Sequence, residues 1–291
     1  MPTGRIVKAL SGFYYVENEN GIFQCRARGN FRKRKITPLV GDWVEFEAEN
    51  RTDGYVLEVN TRINELVRPP IANVELAVIV FSAREPDFST YLLDKFLVHI
   101  EANGIEAVIC LTKTDLGVTE QTQKEAEVYE RLGYQVLYTS QESKESADDV
   151  AEALQGRISV FAGQSGVGKS TLLNVIKPEL HLETNPISRS LGRGKHTTRH
   201  VELIKLDEGT YVADTPGFSS LDFRGIEAAS LSHLYPEMAA LINDCRFRAC
   251  THLKEPGCAV KQAVEDGSIA QFRYESYKQF HDEIQSQKRR Y

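Results

Sequence analysis

The segment Gly163-Gln164-Ser165-Gly166-Val167-Gly168-Lys169-Ser170 constrains this chain more than any other. It reads glycine, four residues, then Gly-Lys-Ser, and it follows the apolar run Ile158-Ser159-Val160-Phe161-Ala162, which has the pattern of a buried strand. Strand, tight loop and helix are therefore expected in that order. Glycines let successive backbone N–H groups turn inward around phosphate oxygens, and the positive end of a helix opening at Lys169 adds to the field there. Lys169 would reach the outer phosphates of a nucleotide, Ser170 would ligate its magnesium, and Thr171 continues the same cradle. The alternative is a strand-to-helix turn with a structural role only.

Ahead of this loop, long apolar strands alternate with amphipathic helices. Val74 to Phe81 is followed by a helix with Leu92, Leu93, Phe96, Leu97 and Ile100 on one face. Strand Ile105 to Leu111, a charged helix near Glu120 to Leu132, strand Tyr134 to Thr139 and helix Ala147 to Leu154 complete the series. The pattern predicts a parallel α/β sheet covered on both sides, with ligand loops at the carboxyl ends of its strands. The loops after Leu111, Thr139 and Ala162 should then share one edge.

The loop after Leu111 is Thr112-Lys113-Thr114-Asp115. Asp115 can cap the following helix. It can instead accept hydrogen bonds from N1–H and the 2-amino group of guanine, whereas adenine would turn a lone pair toward it. Thr139-Ser140, at the next strand end, is the expected backbone contact to the base oxygen. Residues 178 to 200 are polar, and so long a stretch inside a compact domain is usually functional. Strand His200 to Leu206, a Glu208-Gly209 turn and strand Thr210 to Ala213 lead to Asp214-Thr215-Pro216-Gly217-Phe218. Asp214 suits an outer contact to magnesium, and Gly217 can offer its N–H to the γ-phosphate.

Residues 1 to about 65 show short alternating stretches separated by Gly, Asn and Asp, the pattern of a small β-barrel. Between its second and third strand patterns lie Arg26, Arg28, Phe31, Arg32, Lys33, Arg34 and Lys35 with no acid among them. Residues 1 to 41 hold eight Lys/Arg and two acids, net +6, while the other 250 residues hold 27 and 39, net −12. A local basic patch on an acidic protein suits selective docking on nucleic acid, with Phe31 as a stacking surface; a solvated charged loop is the alternative. Arg68-Pro69-Pro70 reads as a linker out of the barrel.

Cys245, Cys250, His252 and Cys258, separated by four, one and five residues, would make a closed set of zinc ligands with no open position for hydrolytic chemistry; chance clustering of cysteines that are simply buried is the alternative. The helix from about Ile269 to Gln287 is highly charged, either a solvated cap or a second RNA contact. With 291 residues and 41% hydrophobic content the chain should form two or three domains. No apolar run has membrane-spanning length and the first residues lack a signal-peptide core, so a cytoplasmic protein without a membrane partner is expected.

The loop Thr112 to Asp115, the phosphate loop, the threonines Thr197 and Thr198, and Asp214 to Gly217 together are the GTPase motif set in circularly permuted order. With a basic barrel before them and a cysteine cluster behind, the chain closely resembles the RsgA (YjeQ/YloQ) family of small-ribosomal-subunit-dependent GTPases across nearly its whole length. The resemblance implies a multidomain protein: an OB-type barrel over 1–66, a circularly permuted α/β GTPase domain over 67–220 and a mainly helical zinc-binding domain over 221–291. It implies GTP hydrolysis with magnesium, one structural zinc, and a monomer that docks on the small ribosomal subunit and its rRNA late in that subunit's maturation. It favours Thr198 over Thr197 as the magnesium ligand. Thr112 departs from the Asn of many GTPases, which removes an amide that braces the phosphate loop. Phe218 stands where many switch GTPases place a water-orienting Gln, which makes His196 the candidate for that task, with an RNA contact as its alternative. A module using GTP only as a structural ligand is the competing function; a phosphate-loop kinase is disfavoured by Lys113 and Asp115.

Overall fold

A computed structural model describes residues 1–29, 31, 34–67, 70–140, 143, 145–182, 201–214 and 221–288. Strands β1 (Thr3–Leu10), β2 (Phe13–Asn18), β3 (Gly21–Ala27), β4 (Trp43–Ala48) and β5 (Gly54–Val59) pair in the order 1-2-3-5-4. Contact of β4 back onto β1, at Gly4 and Val44, closes the barrel. Alternation does the rest: Val16, Cys25, Val44, Phe46 and Val56 point inward and are buried. Of the expected linker Arg68-Pro69-Pro70, Arg68 and Pro69 lie outside the described residues, while Pro70 opens β7 (Pro70–Ala72), which pairs with β6 (Glu65–Val67). Ile71 is buried there, and the side chains of Asn64 and Asn73 bond backbone groups on either side, so the described residues flanking that stretch are packed.

The central layer runs β8 (Leu76–Ser82), α1 (Thr90–Glu101), β9 (Glu106–Thr112), α2 (Glu120–Arg131), β10 (Gln135–Tyr138), α3 (Glu145–Leu154), β11 (Ile158–Ala162), α4 (Lys169–Ile176), β12 (Glu202–Asp207) and β13 (Thr210–Asp214). Its strand order is 10-9-8-11-13-12, parallel except for β12, and β12 continues onto β1 so that barrel and central layer share one sheet. The two faces separate by residue parity. Ala77, Ile79 and Phe81 of β8 pack with Phe96 and Leu97 of α1 on one side; Leu76, Val78 and Val80 pack with Val150 of α3 and Leu172 of α4 on the other.

The chain ends in a helical unit with α5 (Pro236–Ala239), α6 (Ala259–Glu265) and α7 (Gln271–Lys288) around Leu231, Tyr235, Met238, Tyr277 and Phe280. The charged helix, expected as either a solvated cap or a second RNA contact, is not solvated along its whole described length. Arg273, Tyr277, Phe280 and Ile284 of α7 are buried, and Phe280 meets Tyr91 of α1 at 5.0 Å between ring centroids. No helix among the described residues is long and apolar enough to cross a membrane.

Candidate nucleotide site and metal centre

The carboxyl ends of β8, β9, β10, β11 and β13 lie along one edge, as parallel pairing requires. At the end of β11 the chain turns through the phosphate loop into α4. Gly163 has φ of 142°, and a Cβ there would stand 2.1 Å from the Val80 carbonyl oxygen, so no larger residue fits. Gly168 precedes α4 in the left-handed region, φ 97°, and leaves the first helical N–H groups directed at the loop. Val167 is fully buried and pins the loop to the core. The Lys169 ammonium donates to the carbonyls of Gly163, at 2.8 Å, and Gln164, at 2.6 Å, and burial lowers its pKa. These contacts hold the charge over the loop, where phosphate oxygens would meet it.

The base side of the site is built by two neighbouring strand ends. Thr112, Lys113, Thr139, Ser140, Ala147, Gly168, Thr171, Leu172 and Val175 line an open cleft between β9, β10 and α4. Thr112 is buried; its hydroxyl bonds the Val167 carbonyl and lies 3.2 Å from that of Phe81. The expected loss of bracing at this position is thus corrected: a threonine hydroxyl reaches the phosphate-loop backbone because β8 and β11 bring that backbone within one bond of β9. Lys113 takes a left-handed conformation, φ 57°, and its ammonium bonds the Glu85 carbonyl. Thr114 donates through both N–H and hydroxyl to the Thr139 carbonyl, at 3.2 and 3.1 Å, tying the two loops together. Asp115 is exposed, and Thr119 rather than Asp115 caps α2. The capping alternative is thereby removed.

Among the expected site residues, Thr112, Lys113, Thr139, Ser140, Gly168 and Thr171 therefore meet around one cleft, with Gly163 to Ser170 beside it. Asp214 ends β13, with Ala213 opposite Val160 of the phosphate-loop strand. His196, Thr197, Thr198, Gly217 and Phe218, together with Arg32 and Lys33, lie outside the described residues. Ala147, Leu172 and Val175 were not anticipated as lining, since in sequence they read as ordinary helix core.

On the barrel, Arg26 lies over the Phe13 ring at 4.8 Å, Arg28 pairs with Glu47, Arg34 stands 3.9 Å from Glu58, and Lys35 is exposed. Phe31 is 5% exposed and belongs to the barrel core, which corrects its assignment as a stacking surface: the single aromatic in a basic stretch is what anchors that stretch to the barrel.

In the helical unit, the ligand atoms of Cys245, Cys250, His252 and Cys258 all lie within 4.8 Å of one another. His252 Nδ1 faces Cys258 Sγ at 3.3 Å and Cys245 Sγ at 3.6 Å. Its left-handed backbone, φ 59°, is held by hydrogen bonds from Tyr274 to the His252 carbonyl and from Tyr277 to that of Thr251, both 2.7 Å. Desolvation and the neighbouring thiols push the Cys250 thiol up to about 12. Three thiols and an imidazole nitrogen converging on one point fit a single metal ion, whose charge would reverse that shift.

Strand order, phosphate loop and base-side loops define a circularly permuted GTPase, the base-contacting loop preceding the phosphate loop in the chain. Residues 59–224 match the RsgA GTPase family and residues 3–56 the RsgA N-terminal domain. The chain is 58% identical to the small ribosomal subunit biogenesis GTPase RsgA of Shouchella clausii and 60% identical to that of Bacillus anthracis, in each case over the full length of both chains. Among solved structures, it is similar to YloQ, described as a circularly permuted GTPase (51% identity, TM-score 0.84, 99% of this chain and 96% of that one). It is also similar to YjeQ from Thermotoga maritima (38% identity, TM-score 0.84, 97% and 98%). The chain belongs to the RsgA GTPase family.

Proposed function

We propose that this protein hydrolyses GTP with magnesium, is stimulated by the small ribosomal subunit, and acts as a cytoplasmic monomer late in that subunit's maturation. What carries the reading is the cleft in which the Thr112-Lys113 loop and Thr139-Ser140 face the phosphate-loop helix, in a chain matched end to end by relatives named for small-subunit biogenesis. Asp115 selects guanine by accepting from its N1–H and 2-amino group, and Thr139-Ser140 donates backbone N–H to the base oxygen. The backbone of Gly163 to Ser170 and the Lys169 ammonium bind the phosphates. Ser170 and Thr198 would hold magnesium, with Asp214 in an outer contact; the ion supplies positive charge to the β- and γ-phosphate oxygens. Gly217 contacts the γ-phosphate, and His196 orients the attacking water that Phe218 cannot hold.

Cys245, Cys250, His252 and Cys258 would hold zinc in a structural role, since four protein ligands complete a tetrahedral set. Arg26, Arg28, Arg32, Lys33, Arg34 and Lys35 pair with rRNA phosphates. The working units are 1–66, 67–220 and 221–291. Turnover of radiolabelled GTP with and without small subunits tests the reading in wild type and in His196→Ala. Acceleration by subunits is expected in the wild type and largely lost in the variant, with GTP affinity and subunit binding kept. A wild-type protein that subunits do not accelerate overturns the proposal; a variant that keeps the acceleration removes His196 from it.

A further inference from the structure

Barrel and phosphate edge meet along a polar seam. β12 pairs with β1 at Glu202 and Lys8, whose ammonium stands 2.8 Å from the Glu202 carboxylate. Further along, Glu17 of β2 uses its two oxygens separately: one accepts from the Lys205 ammonium of β12 at 2.7 Å, the other from the Tyr211 hydroxyl of β13 at 2.8 Å. Arg5 of β1 lies beside them, its guanidinium 5.4 Å from the centroid of the Tyr211 ring and 4.6 Å from that of Trp43. The Glu17 side chain is 17% exposed against 47% for Lys205, so the barrel carboxylate is held in place while the hairpin lysine reaches in to it.

The hairpin so gripped carries Asp214. Glu202 pairs with Asp214 across the hairpin, and β13 runs parallel to β11, one strand from the phosphate loop. A slip of one residue would shift a strand by about 3.3 Å and turn its side chains to the other face. Whatever fixes the hairpin against the barrel therefore fixes where Asp214 stands at the end of β13, next to the phosphate-loop strand.

We propose that Glu17 is a positioning residue that couples the barrel to the phosphate edge through Lys205 and Tyr211, with Lys8–Glu202 as a second tether, so that docking of the barrel on RNA sets the hairpin for turnover. The inference rests on the partner-stimulated GTPase reading. Glu17 stands on the far side of β12 and β13 from the nucleotide cleft and touches none of its lining. Its effect is a bias between two settings of the hairpin, because a bond made in only one setting shifts the population toward it.

The test compares Glu17→Gln, Tyr211→Phe and the reciprocal double substitution E17K/K205E in the full-length protein. Basal GTP turnover, fluorescent GTP-analogue affinity, small-subunit binding and subunit-stimulated turnover are measured for each. Glu17→Gln should lower the stimulation by about 5- to 20-fold, the lower part of the range of typical coupling energies, with basal turnover and both affinities unchanged. Tyr211→Phe, which removes one hydroxyl from a buried ring, should lower it less, and E17K/K205E should restore much of what Glu17→Gln loses. Full stimulation in both single variants overturns the coupling. Loss of subunit affinity in place of stimulation also overturns it, making Glu17 a docking residue. A wild type that subunits do not stimulate sinks the subunit-stimulated reading, and this inference with it, and is told apart from those results by the wild-type arm alone.

Discussion

Arg273→Met should destabilise the docking of the C-terminal unit more than any surface change on α7. The Arg273 guanidinium is 1% exposed and sits among three elements. It pairs with Asp94 of α1, which is fully buried, and bonds both oxygens of Glu237 of α5, at 2.7 and 3.1 Å, while lying 4.5 Å from the Tyr235 ring centroid. Tyr129 of α2 donates to Asp94 at 2.7 Å. Burial works against the Arg273 charge, but Asp94 and Glu237 overcome it and raise its pKa well above the ordinary value. Methionine fills similar space and leaves both carboxylates without their cation, a loss of about 3–5 kcal/mol for one partner of a buried pair. At roughly 2–4 °C per kcal/mol this lowers the melting temperature by roughly 6–20 °C.

The variant should also acquire a distinctive pH dependence. Burial already raises the Asp94 carboxyl pKa, with Arg273 opposing. Without Arg273 it rises further, so the folded state binds protons that the unfolded state has released. The Asp94 contribution to stability is then fully present below the unfolded-state pKa and is lost as pH rises through the raised one, so the deficit relative to wild type grows with pH. Thermal melts by circular dichroism from pH 4 to 8 would show this, and Asp94→Asn with Glu237→Gln in the same background should recover much of the loss at pH 7. An Arg273→Met protein that melts as the wild type does, with a flat pH profile, would refute the reasoning.

Three further outcomes are expected. Asp115→Asn should move nucleotide preference from GTP toward XTP, because an amide donor matches a 2-oxo group; competition against a fluorescent nucleotide reads this, and equal binding of ATP and GTP by the wild type would count against the guanine contact. Thr112→Val keeps the shape and removes the hydroxyl that bonds the Val167 carbonyl, so nucleotide affinity should fall roughly 5- to 10-fold, the equivalent of about one hydrogen bond with a stranded acceptor; unchanged affinity would mean the brace is idle. On the proposal that the Cys245 cluster holds zinc, chelation should unfold the region around it while the nucleotide core persists, since apparent binding energies of roughly 10–16 kcal/mol are available to such sites; a single unchanged melting transition would contradict this.

What the sequence by itself determined is local. The phosphate loop was legible because Gly163, Gly166 and Gly168 sit where only glycine suits the turn, directly after an unbroken apolar strand. The parallel layer was legible because helix and strand periods alternate, and the metal centre because thiols and imidazole cluster within fourteen positions, 245 to 258. Its circular permutation is a fact of motif order, readable along the chain. Pairing across long separations was not readable in this way. Phe31 looked like a ligand surface among cations until the barrel closed over it, and nothing in the charged pattern of α7 shows that Arg273 is buried against Asp94, 179 positions earlier. Glu17 is an unremarked acid on a short strand, and only the continuation of one sheet from the barrel into β12 and β13 gives it partners 188 and 194 residues away. Composition records that a charge exists; whether it is solvated, neutralised or set as a tether depends on which distant residue desolvates and meets it, and that is decided only when the sheet edges and helix faces are packed.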